Sequence, residues 1–344
     1  MEYEKFVDKG LTGLANLGNT CFMNSALQCL SHTYLLNEFL DKKDFKKKLN
    51  KKPESLILME WDNLREMMWS ENCVISPGGF LASLQKVAKI KDKSIFTGFA
   101  QNDLPEFLGF IINCFHTAIS RDVIMNIKGV PENDTDVLAK KCYEMMKEMY
   151  KKEYSEILTM FFGISISSII SLENKVYSTR PEPFFMVDLP LSGDTLFACM
   201  DAYTEKETMD GDNKYYDETT QTRVSAYKNI RFWCLPDILI INLKRFSNNM
   251  RKNNSFVDFP LEDFNLSKYI TGYNKETYVY DLYALCNHSG NVMGGHYTAC
   301  VRNANNKWYT FNDTSIQEVP DVQLLKNNNP YCFFYRKKKL LNNI

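Results

Sequence analysis

The sequence predicts an α+β fold. Apolar residues in the first half recur at helical spacing. Those in the second half fall into short apolar or alternating runs rich in β-formers. Helices first and strands after argue against the alternation that builds a doubly wound sheet. With 344 residues, 44% of them hydrophobic, the chain can bury a sizeable core.

The first helix is expected over 21–30. Phe22, Ala26, Cys29 and Leu30 share one apolar face there, and Thr20 or Asn19 can cap its start. A second is expected over 56–69, followed by the turn Ser76-Pro77-Gly78-Gly79, and a third over 80–88. A fourth, over 103–119, tolerates Pro105 in its first turn, and a charge-laced fifth covers 135–157. Strands are then expected over 163–172, 184–189, 238–243, 278–286, 295–302, 308–311 and 332–335. A short helix is expected over 194–200 and a turn at Asn327-Asn328-Asn329-Pro330. No internal repeat or low-complexity linker divides the chain, so one domain over 1–344 is expected.

Charge excludes some classes. Against 41 basic residues stand 42 acidic ones, a net charge of −1, so no global field points to nucleic acid or a membrane. Residues 42–52 and 336–339 are locally basic and read as a solvated loop and a tail; the former is also a candidate for partner-directed targeting. The run 161–172 is too short and serine-rich to span a bilayer. Ten cysteines occur with no Cys-x-x-Cys pair, and residues 1–10 lack the apolar core of a leader. A monomer in a reducing compartment, cytoplasmic or nuclear, is expected, where a free thiol nucleophile survives.

Cys21 opens a helix, whose positive dipole end favours thiolate. His296, one of four histidines, follows Gly294 and Gly295, which let a substrate backbone approach closely. Asn312 and Asp313 end a strand, and either could bond the far nitrogen of His296 and fix its tautomer. Asn16 lies five residues before Cys21 and could donate, with the Cys21 N–H, to a developing oxyanion. Nucleophile, base, orienter and oxyanion donor are what thiol-based acyl transfer requires.

Gly13-Leu14-Ala15-Asn16-Leu17-Gly18-Asn19-Thr20-Cys21-Phe22-Met23-Asn24-Ser25, continuing to Leu30, resembles the cysteine box of the ubiquitin-specific proteases, which are papain-like deubiquitinases. Tyr283 to Gly290 and Gly294 to Arg302 resemble their histidine box, and Trp308 to Ser315 and Tyr331 to Arg336 their last segments. Thr97-Gly98-Phe99-Ala100-Gln101-Asn102-Asp103-Leu104-Pro105-Glu106-Phe107-Leu108 is similar to the Gln-Gln-Asp box, and Leu235 to Phe246 to the Leu-Lys-Arg-Phe segment. The likeness runs from Gly10 to Arg336.

This resemblance implies a papain-like catalytic domain: a helical thumb over about 10–158, fingers over 159–235, and palm with the remaining fingers over 236–340. It implies that Cys21 attacks the terminal glycine carbonyl of ubiquitin, with His296 as base then acid, Asn312 as third member and Asp313 as support or substitute. Asn16 would complete the oxyanion hole. Asp103 and Glu106 would face the arginine-bearing ubiquitin tail, to which carboxylates pair well. His288, Gly294, Gly295, Tyr297 and Tyr331 would line the tail channel. The triad alone does not separate this reading from a protease for a ubiquitin-like modifier, a silent ubiquitin-binding relative, or an acyltransferase.

Three departures stand out. Most family members bind zinc through two Cys-x-x-Cys pairs in the fingers. The matching stretches here, near 168–174 and 216–220, hold no cysteine, and Asp217 and Thr220 stand where thiols are usual. No structural zinc and no other cofactor is therefore expected. Asn242 replaces the histidine usual before Leu-Lys-Arg-Phe, and Asn102 and Pro105 alter the Gln-Gln-Asp box.

Overall fold

The structure is a computed structural model that describes residues 3–339 except 99, 248, 250, 292 and 293. Phe99 of the Gln-Gln-Asp-like box and residue 340, the end of the expected palm, lie outside the described residues. The first half supplies eight α-helices among the described residues: α1 (Cys21–Ser31), α2 (Tyr34–Asp41), α3 (Phe45–Lys48), α4 (Glu54–Ser70), α5 (Gly78–Ile90), α6 (Leu104–Ala118), α7 (Asp134–Tyr150) and α8 (Glu156–Phe161). A ninth, α9 (Leu196–Thr204), lies among the strands.

Two differences from the helical expectations have physical causes. The helix expected over 135–157 is two helices, because Tyr154 exchanges both main-chain hydrogen bonds with Arg121, at 3.0 and 2.8 Å. That pairing takes the backbone groups a continuous helix would need. Arg121 then clamps Glu156 with two bonds of 3.0 and 2.8 Å at the start of α8. At α1, Thr20 makes no side-chain cap; its hydroxyl instead accepts from the Leu17 N–H at 2.9 Å, folding the loop before the helix.

The strands are β1 (Gly13–Leu14), β2 (Val74–Ile75), β3 (Gly163–Ser171), β4 (Val176–Phe184), β5 (Met186–Leu189), β6 (Glu207–Met209), β7 (Tyr215–Asp217), β8 (Thr222–Val224) and β9 (Ala226–Cys234). They continue with β10 (Ile238–Leu243), β11 (Phe264–Asn265), β12 (Val279–Asn291), β13 (Gly294–Arg302), β14 (Trp308–Asn312), β15 (Ser315–Glu318) and β16 (Pro330–Lys337). Four form a fingers sheet in the order β4-β3-β9-β6. A palm sheet runs β15-β14-β13-β12-β16-β10-β5, with β11 paired to β12.

β5 lies within the 159–235 segment expected as fingers, yet it pairs in parallel with β10 of the palm. Its Val187 and Leu189 are buried against Leu239, Ile241 and Leu243, so apolar burial draws it into the palm. Only Phe185 separates it from β4 of the fingers. β4 carries Pro181 and Pro183, which an edge strand tolerates because its outer N–H groups need no partner.

One core lies between the helices and one palm face, joining Phe22, Ala26 and Leu30 of α1 to Phe107 and Ile111 of α6 and to Ala299, Val301 and Phe334. Every residue of α1 is buried. A second core fills the other palm face under α9. Cys21 thus begins a helix wedged between α6 and the palm sheet.

Candidate active site

The cysteine loop reaches the palm through close backbone contact. Leu14 donates its N–H to the Asp313 carbonyl at 2.9 Å. A Cβ on Gly13 would sit 2.6 Å from the Thr314 carbonyl oxygen, so only glycine allows that approach. Asp313 itself has φ +50°, the left-handed region an Asp adopts more readily than most residues.

That turn carries the site. His296, half-buried on β13, bonds Asn312 at the end of β14, with Nε2 and Oδ1 2.6 Å apart. Nδ1 is therefore the nitrogen left for the thiol. Asp313 does something else: its Oδ2 accepts from Asn16 Nδ2 at 2.9 Å and its Oδ1 from Asn24 Nδ2 at 2.8 Å. Both oxygens are occupied by asparagine amides, so Asp313 holds the loop while Asn312 stands at the imidazole.

Asn16 is fixed from both ends. Its Oδ1 accepts from the N–H groups of Gly18 and Thr20, each at 3.1 Å, and one amide hydrogen goes to Asp313. The second amide hydrogen remains for an oxyanion. The Cys21 side chain is 2% exposed. Burial pushes its pKa above the ordinary thiol value, against the backbone N–H of Tyr297, which favours thiolate; the nearby Asp313 carboxylate adds to the rise. The helix start expected to lower this pKa is outweighed by desolvation in the free chain.

The residues expected in the tail channel divide into two groups. Gly294 and Gly295 sit half-exposed on β13. His288, Tyr297 and Tyr331 instead lie beneath the channel, at 4%, 7% and 3% exposure. A Cβ on Gly295 would meet His288 Nε2 at 2.3 Å, so the ring fills the space under that glycine. Burial lowers the His288 pKa to about 4, with the Lys252 charge adding. The two tyrosine hydroxyls donate to Asp103, from Tyr331 at 2.9 Å and Tyr297 at 3.4 Å.

Asp103 precedes α6 with one edge open to solvent. Desolvation against the two tyrosines raises its pKa, while their hydroxyls work the other way. It borders a cleft of about 560 Å³ with exposed Glu106, and Asp188 and Asn242 also line it. Asn242, at the position where histidine is usual, donates to Asp188 at 2.8 Å. Sequence reasoning missed two contributors. Gln101 clamps Gly295 with Nε2 to its carbonyl at 2.8 Å and Oε1 from its N–H at 3.1 Å. Asn24 joins α1 to Asp313. Both lie in motifs read from the sequence, but nothing linear marks which amide spans to the palm.

A buried thiol opening a helix that packs on the strand carrying an imidazole, itself held by an asparagine at the end of the next strand, is the arrangement of a papain-like thiol site. The chain belongs to the ubiquitin carboxyl-terminal hydrolase family, whose model matches residues 12–335. It is 35% identical over 342 residues to ubiquitin carboxyl-terminal hydrolase 2 of Homo sapiens, covering 95% of this chain and 55% of that protein. Its identity to ubiquitin carboxyl-terminal hydrolase 2 of Gallus gallus is 33%, covering 96% of this chain and 94% of that one. Among solved structures it is similar to the SAGA Ubp8/Sgf11/Sus1/Sgf73 DUB module bound to ubiquitin aldehyde. There the TM-score is 0.73 at 25% identity, over 97% of this chain and 71% of that one. The chain spans about half the length of the human, bovine and rat relatives it matches, at 55%, 55% and 54%.

Proposed function

We propose that the chain is a deubiquitinase, hydrolysing isopeptide or peptide bonds after the C-terminal glycine of ubiquitin. The observation that carries this reading is the cleft of Asp103, Glu106 and Asp188, three carboxylates against the one lysine Lys93, tied to the strand of the His296–Asn312 pair by the Tyr297 hydroxyl on Asp103. An arginine-bearing tail ending in two glycines fits a carboxylate-lined entrance leading to Gly294 and Gly295. The ubiquitin aldehyde complex of the similar DUB module supports the same substrate.

In this mechanism His296 Nδ1 takes the Cys21 proton, and the thiolate attacks the glycine carbonyl carbon. The oxyanion is met by the free Asn16 amide hydrogen and the Cys21 N–H. Collapse breaks the C–N bond, and His296 returns its proton to the departing lysine amine. A water, deprotonated by His296, then attacks the thioester, releasing the ubiquitin carboxylate and restoring the thiol. Asn312 holds the imidazole orientation through both halves.

Two further parts of the reading concern the surroundings. The fingers are proposed to fold without metal. Asp217 closes its turn through its own oxygens, accepting from the Thr219 N–H at 2.9 Å and the Thr220 hydroxyl at 3.2 Å. Ser171 accepts from the N–H groups of Glu173 and Lys175 at 3.2 and 3.0 Å, and Tyr177 stacks on Tyr215 across the two turns. The protein is proposed to work as a monomer in a reducing compartment, cytoplasmic or nuclear, with ubiquitin and ubiquitinated proteins as its partners; all ten cysteines are free. Neither nucleic acid nor a membrane is proposed as a partner.

The test is labelling by a ubiquitin probe with a C-terminal electrophile. Wild type should form an adduct, Cys21→Ala none, and His296→Ala little. No adduct on wild type, with adducts from another modifier's probe, would replace ubiquitin with that modifier.

A further inference from the structure

Beside the channel lies an open cleft of about 410 Å³ lined by Pro190, Leu191, Lys244, Arg245, Ser247, Arg251, Lys252 and Asn253. Among the described residues, four cations line it and no carboxylate does. Elsewhere, lysines such as Lys43, Lys48, Lys91 and Lys338 pair with acids at 2.5 to 2.8 Å. Lys244, Arg245, Arg251 and Lys252 have no ion pair among the described residues.

Arg245 forms the inner wall and is 1% exposed. Its Nε donates to the Pro330 carbonyl at 2.8 Å, and its Nη1 to those of Asn253 and Ser255 at 3.0 and 2.9 Å. Its buried Nη2 has no partner among the described residues. Lys252 donates to the His288 carbonyl at 2.5 Å. Carbonyl dipoles hold these two cations in place without cancelling their charge. Burial lowers the pKa of both, and the Arg245 charge lowers that of Lys252 further. Lys244 and Arg251 stand exposed at the rim, able to reach a ligand. A buried charge without a counter-ion is costly unless one arrives.

We propose that this cleft binds a small oligophosphate-type anion. Several adjacent negative charges with many acceptor oxygens match two exposed cations over two fixed ones, and arginine and lysine together suit phosphate oxygens. The ligand would neutralise a cluster that grips the His288 and Pro330 carbonyls, on the two strands that brace the channel floor. The inference concerns binding at a separate cleft and does not depend on the deubiquitinase reading.

The test is isothermal titration of the whole chain with inorganic tripolyphosphate and, separately, adenosine triphosphate. Wild type should bind with an affinity that weakens as salt rises. The rim variant Lys244→Glu with Arg251→Glu should lose about 10-fold or more, since both residues are exposed and their removal leaves the core intact. Equal affinity for both probes would identify the phosphate chain as the recognised group; tighter nucleotide binding would identify a phosphorylated small molecule. No binding, or equal binding by wild type and a variant with unchanged Tm, would overturn the site. Labelling by the ubiquitin probe, run alongside, reports the catalytic reading separately.

Discussion

Asn24 and Asp313 lie 289 residues apart and share a hydrogen bond of 2.8 Å. It joins the catalytic helix to the residue after the imidazole's asparagine. Asn24 is 2% exposed and also reaches the Leu14 and Ala15 carbonyls, each at 3.3 Å. One amide therefore sets the distance between the element carrying the nucleophile and the turn orienting the base.

Asn24→Ala should lower kcat about 10- to 100-fold with little change in KM, in line with the cost of one buried bond to a charged group, about 1.5–3 kcal/mol. Steady-state kinetics on a ubiquitin substrate check this. A rise in KM at constant kcat would instead make Asn24 a binding determinant.

Asn312→Ala removes the partner of His296 Nε2. Activity should fall by about 10² or more, because the imidazole loses its orientation and tautomer. Asp313→Asn should cost less, since Asn312 still holds the ring. Comparing kcat for the two variants decides it; a larger loss from Asp313→Asn would reverse their roles.

The buried Cys21 thiol has a pKa above its ordinary value of 9.0 in the free chain. Its alkylation by iodoacetamide should keep accelerating as pH rises past about 9, because only the thiolate reacts. Cys21→Ser supplies the background. A plateau already reached near pH 7 would mean that His296 has taken the proton beforehand.

His32 and His288 are buried and neutral, each with its pKa lowered from 6.5 to about 4. An unfolded chain binds protons at both between those values, and the native one does not. Stability is therefore complete above pH 6.5 and drains as pH falls toward 4, by up to about 1.4 kcal/mol per unit for each histidine. Urea unfolding at a series of pH values measures the slope. A flat profile across that window would show that both rings protonate in place.

Gly295→Ala would press a methyl group against His288 Nε2 at 2.3 Å and the Ser289 carbonyl oxygen at 2.6 Å. The second is backbone and cannot yield cheaply. The substitution should cost about 1–3 kcal/mol of stability and most of the activity. Denaturant unfolding and probe labelling check both.

Much of this was legible because chemistry and flanking glycines were contiguous. The segment around Cys21, the Gly294-Gly295-His296 run and the Asn312-Asp313 pair could be read as parts of one site. Helices with clear apolar faces were placed within a few residues. What escaped was tertiary. The break before α8 depends on Arg121 meeting Tyr154, and the assignment of β5 to the palm depends on β10 lying beside it. α2 and β9 were missed because charged and polar residues interrupt their patterns. His288 was expected in the channel because its motif neighbours line it; a cross-strand partner, Tyr297, and the missing Cβ of Gly295 bury it instead.

Phe185 is the lone residue between a strand of one sheet and a strand of the other, and its ring sits 3.2 Å from where a Cβ on Gly109 of α6 would be. It is a joint. The same ring that ends one sheet and begins the other rests on the helix that starts just after Asp103 and carries Glu106, and Asp188 follows three residues along. The seam between the two sheets and the cleft of Asp103, Glu106 and Asp188 therefore share one aromatic contact.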